Sequence, residues 1–168
     1  MTEQRVKAPL KRSTLCLLPL FLLALGSVWA QENKSPNSKR RVVFVCEHGS
    51  AKSVIAATEF KRMAIEKGLD LNILARGTNP DAEIPKLVRD GLKADGHEIG
   101  ALKPTKVSKK DLRGATKIVS FGPDLSQWLP DGATVMDWSA TPSVSEDYRA
   151  AREYIRKQLE LLVQELKK

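Results

Sequence analysis

The stretch Cys46 to Ser53, Cys-Glu-His-Gly-Ser-Ala-Lys-Ser, brings a thiol, an imidazole, an ammonium group and two hydroxyls together in a short loop. It follows the hydrophobic run Val42–Val45 and precedes an amphipathic segment that begins at Ser53. In parallel α/β proteins, ligands bind beyond the carboxyl ends of the strands. A short loop that enters a helix directs several backbone N–H groups inward, and the helix dipole adds positive potential there. The sequence therefore predicts a site for a tetrahedral oxyanion such as phosphate at this loop.

Cys46 is the candidate nucleophile of this loop. Positive potential at a helix N-terminus favours the thiolate form of a cysteine, and the thiolate is the reactive form. Ser53, the first residue of the predicted helix, is placed to hydrogen-bond the sulfur, and Gly49 allows the backbone to approach a ligand closely. An isolated cysteine is more often a buried, unreactive thiol. The position of Cys46 between a strand and a helix favours the nucleophile instead.

Residues 1–30 have the order of a secretory signal peptide. A basic start is followed by the apolar run Leu15–Leu25 and by small residues that end at Ala30. We expect cleavage after Ala30 and a periplasmic or secreted protein with no stable membrane insertion afterwards; an uncleaved N-terminal anchor is the alternative. Cleavage would leave Cys46 as the single cysteine, so an intramolecular disulfide is not expected.

Residues 31–40 are polar throughout and predict a flexible lead-in, whereas residues 41–168 predict one domain without internal repeats. Cleavage takes four basic residues and one acidic residue from the formal net charge of +8 and leaves +5. Such a surplus suits anionic ligands, although a solvated basic face is the simpler explanation. No basic run with interleaved aromatic residues indicates a nucleic-acid partner, and none is expected.

The domain alternates short β-rich runs with longer amphipathic segments, which predicts an α/β fold with a parallel sheet covered by helices on both faces. The last segment, 143–168, has apolar residues at helical spacing, and Ser143 with Glu146 is placed as a capping box. His97 is predicted to lie at the surface. The four predicted strands span 42–45, 71–75, 117–121 and 134–136. Two further helices are predicted over 53–67 and 83–94.

The order strand, Cys-x5-basic-Ser, helix resembles the low-molecular-weight protein tyrosine phosphatase and thioredoxin-coupled arsenate reductase superfamily. The resemblance covers nearly the whole domain. The turn Ala75–Thr78 with Pro80 resembles the family's small-Gly-Thr turn after the second strand. His48, two residues after the cysteine, and the later pair Asp137-Trp138 resemble the arsenate reductase branch.

This resemblance implies a three-layer fold, in which a four-stranded parallel sheet with helices on both faces carries a phosphate-binding loop after strand 1. It implies that Cys46 is the nucleophile and that the Ser53 hydroxyl steadies its thiolate. The implied chemistry needs no cofactor and no metal ion. The residues that would bind the oxyanion are Glu47, His48, Gly49, Ser50, Ala51 and Lys52.

The sequence departs from the family pattern at two places. The family loop ends in Arg-Ser, whereas Lys52 offers a compact point charge instead of a planar fork that grips two oxygens. The family's general acid is an aspartate directly before a proline, whereas Thr141 precedes Pro142 here. Asp137 is the nearest replacement, with a purely structural role as its alternative, and Asp124 is a weaker candidate.

Three functions fit these residues. The first is a phosphatase that forms a cysteinyl-phosphate intermediate at Cys46, with Lys52 and loop amides holding the oxygens and Asp137 assisting departure of the leaving group. The second is a single-cysteine arsenate reductase, which His48 favours and which would need an external thiol. The third is a degenerate relative that binds phosphate, sulfate or arsenate without turnover.

Overall fold

The computed structural model describes residues 39–168. The predicted signal peptide (1–30) and most of the predicted lead-in lie outside the described residues. The first strand begins at Arg40, one residue before the predicted start of the domain. In chain order the elements are β1 (Arg40–Cys46), α1 (Lys52–Glu66), β2 (Leu71–Gly77), α2 (Lys86–Ala94), α3 (Lys109–Leu112), β3 (Ala115–Ser120), β4 (Val135–Asp137) and α4 (Tyr148–Lys167).

The strands form one parallel sheet in the order β2-β1-β3-β4. β1 is an inner strand, and the side chains of Val42–Val45 are fully buried. A continuous hydrophobic run is typical of a strand that is covered on both faces. The register places Cys46, the last residue of β1, beside Gly77, the last residue of β2. The predicted four-stranded parallel α/β fold is confirmed.

Successive residues of β1 point to opposite faces of the sheet. Phe44 faces a core built with α1, α2 and α4, where its ring meets that of Phe60 edge to face at 5.7 Å. Val45 faces a second core that includes Leu112 of α3 and Leu125 of the loop after β3. Helices therefore lie on both faces, as predicted. α3 was not predicted from the sequence, because four residues are too few to show a helical period.

α2 and α4 begin later than predicted. α2 begins at Lys86, three residues after the predicted start, and Pro85 is its N-cap. The predicted capping box at the last helix is wrong, because α4 begins at Tyr148 and its cap is Asp147, whose carboxylate accepts a hydrogen bond from the N–H of Ala150 at 2.9 Å. Ser143 instead shares a hydrogen bond with the hydroxyl of Ser145 at 2.9 Å.

His97 is buried, contrary to the prediction of a surface position, and it belongs to a group of polar and charged side chains around Glu59. The Glu59 side chain has no exposed surface and lies 3.0 Å from His97 Nε2, 2.6 Å from Arg152 Nε and 2.8 Å from Arg62. Burial alone would raise the pKa of Glu59, but the contacts with His97 and Arg152 outweigh burial and hold that pKa below its ordinary value. The group joins α1, α4 and the segment after α2.

Gly91 of α2 packs directly against the ring of Tyr148, whose hydroxyl donates to Asp95 at 2.8 Å. A Cβ at position 91 would lie 2.4 Å from Tyr148 Cζ. We expect Gly91→Ala to lower the free energy of unfolding by about 1–3 kcal/mol through this overlap, although alanine is the better helix former by about 1 kcal/mol. Urea denaturation measures the change. Gly91→Ala made in a Tyr148→Leu background is the control, and an equal loss there would contradict the overlap.

Candidate active site

The segment that follows β2 fixes the conformation of the loop between Cys46 and α1 through backbone hydrogen bonds. The N–H groups of Thr78, Asn79 and Asp81 donate to the carbonyls of Cys46, Glu47 and His48 at 3.1, 2.8 and 3.0 Å. The three loop carbonyls therefore face away from the centre of the loop. This leaves the loop's own N–H groups to face a ligand.

Gly49 has a φ of 60°, in the left-handed region, and its backbone presses against that of Gly77. A Cβ on Gly49 would lie 2.7 Å from Gly77 N, and a Cβ on Gly77 would lie 2.6 Å from Gly49 N. The sharp reversal of the loop therefore needs two glycines that come from different parts of the chain.

The sulfur of Cys46 is the meeting point of the loop and α1. It lies 3.1 Å from Ser53 Oγ and accepts a hydrogen bond from the N–H of Gly49 at 3.2 Å. The helix begins with Ala51 as its N-cap, which has no side chain able to bond the first turn. Because the first N–H groups of a helix have no partner within it, those of α1 are open to an anion.

A cavity of about 360 Å³ opens above Cys46. Six of the predicted site residues line it: Cys46, Glu47, His48, Ser50, Ala51 and Lys52. Gly49 and Ser53 contact the sulfur instead. The rest of the wall is mostly apolar and is formed by Pro85, Leu87, Val88, Phe121 and Val144, with Asp81, Ser143 and Ser145 as its other polar residues.

The ammonium group of Lys52 is bonded to the segment after β4. Its Nζ donates to the carbonyl oxygen of Thr141 at 2.7 Å, and so ties the start of α1 to the segment after β4. Thr141 is buried, and its hydroxyl donates to the carbonyl of Trp138 at 2.7 Å. The ammonium group predicted to bind the oxyanion therefore also makes a structural contact between α1 and the segment after β4.

Asp137, the predicted general acid, does not line the cavity above Cys46. Its carboxylate accepts a hydrogen bond from the N–H of Ser139 at 2.8 Å, which lowers the pKa of Asp137 below its ordinary value. Asp124 is held in the same way by Ser126. A lowered pKa favours the ionised carboxylate, whereas a general acid must carry a proton when substrate is bound. Within residues 39–168, the carboxylates that line the cavity belong to Glu47 and Asp81.

Asp81 is the residue of this site that the sequence analysis missed. It accepts a short hydrogen bond from the Ser50 hydroxyl, and its other carboxylate oxygen lies 3.2 Å from Nδ1 of His48. The only local signal is its place in a turn after Asn79-Pro80, where aspartate is common for conformational reasons. Glu47, which was predicted to belong to the oxyanion loop, lines the cavity with an exposed side chain.

Solved structures with the same architecture cover about three quarters of the chain. YfkJ from Bacillus subtilis aligns with 16% identity over 79% of this chain and 97% of its own, at a TM-score of 0.69. A low-molecular-weight protein tyrosine phosphatase from T. tengcongensis aligns with 18% identity over 76% of this chain and 99% of its own, at a TM-score of 0.68. The chain has the fold of the low-molecular-weight tyrosine phosphatases. A thioredoxin-dependent arsenate reductase from Corynebacterium glutamicum shares this fold too. It aligns with 23% identity over 79% of this chain and 66% of its own, at a TM-score of 0.62.

The resemblance drawn from the Cys-x5-basic-Ser loop is thus confirmed at the level of fold. Identities of this size do not carry an activity from one protein to another. No family model matches the sequence, and no curated protein matches it. In the described part of the chain, no group of three or more His, Cys, Asp or Glu side chains is arranged to hold a metal ion. No helix there has the length and apolar character needed to cross a bilayer.

Proposed function

We propose that the protein is a cysteine-dependent phosphatase that acts on a phosphomonoester through a cysteinyl-phosphate intermediate. The arrangement around Cys46 carries the proposal: its sulfur lies within 3.2 Å of the Gly49 N–H and the Ser53 hydroxyl and opens into the cavity. Hydrogen bonds from both donors stabilise a negative charge on sulfur. The dipole of α1, which begins six residues later, acts in the same direction.

In the proposed reaction, the Cys46 thiolate attacks phosphorus while the bond to the ester oxygen breaks. The unpartnered N–H groups at the start of α1 receive the phosphoryl oxygens, on which charge develops. Water then attacks the cysteinyl phosphate, the phosphorus–sulfur bond breaks, and phosphate leaves with the thiolate restored. The Ser53 hydroxyl stabilises the thiolate as it departs in this second step.

Slow turnover is expected because the Lys52 ammonium group bonds the Thr141 carbonyl. Loss of one donor that stabilises transition-state charge typically lowers kcat by roughly 10²–10³-fold. Esters with a good leaving group should be hydrolysed most readily, since they need the least help from an acid.

Hydrolysis of 4-nitrophenyl phosphate by the purified protein tests the proposal. We expect turnover in the wild type, none above background in Cys46→Ser, and a gain of about tenfold in Lys52→Arg, whose planar fork can reach two phosphoryl oxygens. Phosphate should also protect Cys46 from alkylation by iodoacetamide. A wild type that is inactive at every pH between 4 and 8 would contradict the phosphatase proposal.

The Lys52–Thr141 contact also favours a second candidate, an oxyanion-binding protein without turnover. In that case phosphate would protect Cys46 from alkylation, while wild type, Cys46→Ser and Lys52→Arg would all be inactive. The arsenate reductase alternative predicts instead that arsenate is reduced only when an external thiol is supplied, because Cys46 is the single cysteine of the described residues. Thioredoxin and a small thiol are the reductants to compare.

We also propose that the protein is exported and that the signal peptide is removed after Ala30. Expression of the full chain with a C-terminal tag in a Gram-negative host should place the tagged product in the periplasm or medium. Mass spectrometry of its N-terminus should begin at Gln31. A product that keeps Met1 and sediments with membranes would indicate the uncleaved anchor instead.

A further inference from the structure

The imidazole of His48 lies at the cavity with a carboxylate on one side of its ring. Its Nδ1 is 3.2 Å from Asp81 Oδ1, and about half of the His48 side chain is exposed. Both residues line the cavity that opens above Cys46. Carboxylates that face one ring nitrogen of a histidine fix its orientation and its tautomer.

Asp81 itself is held firmly against the loop. Its second carboxylate oxygen accepts the hydroxyl of Ser50, and its N–H donates to the carbonyl of His48 at 3.0 Å. One residue thus contacts the loop at three atoms, two of which belong to His48. The position of the imidazole is therefore set from outside the loop.

The other ring nitrogen of His48 has no comparable partner in the described structure. Its Nε2 lies 3.9 Å from the nearest Glu47 oxygen, beyond hydrogen-bonding distance. The remaining charged group that lines the cavity is the Lys52 side chain, whose ammonium bonds Thr141. Nε2 is therefore available for proton transfer to a group bound above Cys46.

We propose that His48 is the general acid and base of this site and that Asp81 is its positioning residue. The inference rests on the proposed phosphatase function. As the Cys46–phosphorus bond forms, the ester oxygen leaves and takes the proton from Nε2 of the imidazolium. In the second step the neutral imidazole removes a proton from the water that attacks phosphorus, which restores the imidazolium. The pair supplies the proton that an aspartate before Pro142 would supply.

A comparison of two substrates tests this assignment. Phenyl phosphate has a poorer leaving group than 4-nitrophenyl phosphate, so it depends more on an acid. We expect His48→Gln to lower kcat/KM, which reports phosphoryl transfer to Cys46, by about 10²-fold or more for phenyl phosphate and by less than tenfold for 4-nitrophenyl phosphate. Asp81→Asn should show the same pattern more weakly. Added imidazole should restore part of the phenyl phosphate turnover of His48→Ala.

Glu83→Gln is the matched control, because it removes an exposed carboxylate that does not line the cavity and should not alter the ratio of the two kcat/KM values. Glu47→Gln tests the other carboxylate of the cavity wall. An equal fall in kcat/KM for both substrates in His48→Gln, with phosphate protection of Cys46 weakened to the same degree, would mean a structural role and would overturn the inference. A changed ratio in Glu47→Gln alone would also overturn it and assign the acid to Glu47. A wild type that is inactive on both substrates would reject the phosphatase function itself. An active wild type whose substrate ratio is unchanged by His48→Gln would reject only the role of His48.

Discussion

Replacing Gly77 with alanine should abolish phosphate binding at the Cys46 loop and lower the free energy of unfolding by roughly 3 kcal/mol. The new Cβ would lie 2.6 Å from Gly49 N and 2.9 Å from the carbonyl carbon of His48. Both contacts are to backbone, so no side chain can rotate away. To relieve these overlaps, the loop must move away from β2. Its N–H groups would then no longer point towards a bound phosphate. Phosphate protection of Cys46 from alkylation and urea denaturation measure the two effects.

Gly68→Ala is the control for this prediction. Gly68 has a φ of 66° but nothing within 4 Å of a new Cβ, so the substitution adds backbone strain without a clash. We expect Gly68→Ala to cost about 1–2 kcal/mol and to leave phosphate protection unchanged. If Gly77→Ala also kept full protection, the close approach of the two backbones would not be what shapes the loop.

Glu59→Gln should destabilise the protein by roughly 3 kcal/mol, because it leaves the mostly buried Arg152 guanidinium without its main counter-charge. Glu59 is fully buried and its carboxylate lies 2.6 Å from Arg152 Nε, which is itself mostly buried. Asp95, at 2.9 Å from the same nitrogen, keeps Arg152 partly compensated. Thermal or urea unfolding at pH 7 measures the loss. Glu165→Gln, which breaks the more exposed pair with Lys117, should cost less than about 1 kcal/mol.

The effect of Glu59 should also depend on pH. Its pKa in the folded protein lies below the ordinary value of 4.5. A carboxyl with a depressed folded-state pKa contributes stability that is present above its unfolded pKa and is lost as the pH falls through the folded value. The difference in stability between wild type and Glu59→Gln should therefore shrink as the pH falls below about 4.5. A difference that stayed the same at pH 3 would show that packing, and not charge, makes Glu59 stabilising.

The local pattern of the sequence determined the elements and the centre of the site. The hydrophobic run Val42–Val45 required a strand covered on both faces, and it became the buried inner strand β1. The step from that strand to a helix after Cys46 determined the loop that carries the candidate nucleophile, and the spacing of Ser53 brought its hydroxyl to the sulfur. These features depend on residues that are neighbours in the chain, so periodicity and spacing were enough to predict them.

Only the tertiary structure decided where the charged and polar side chains of the site are used. The carbonyl that binds Lys52 lies 89 residues away in sequence, and no local pattern links the two. Asp81 reaches Ser50 across 31 residues, because β1 and β2 end side by side. Burial of His97 likewise follows from a carboxylate on α1 and an arginine on α4. Such contacts form when parallel strands and their helices pack, and a long polar side chain takes whichever partner that packing brings within reach.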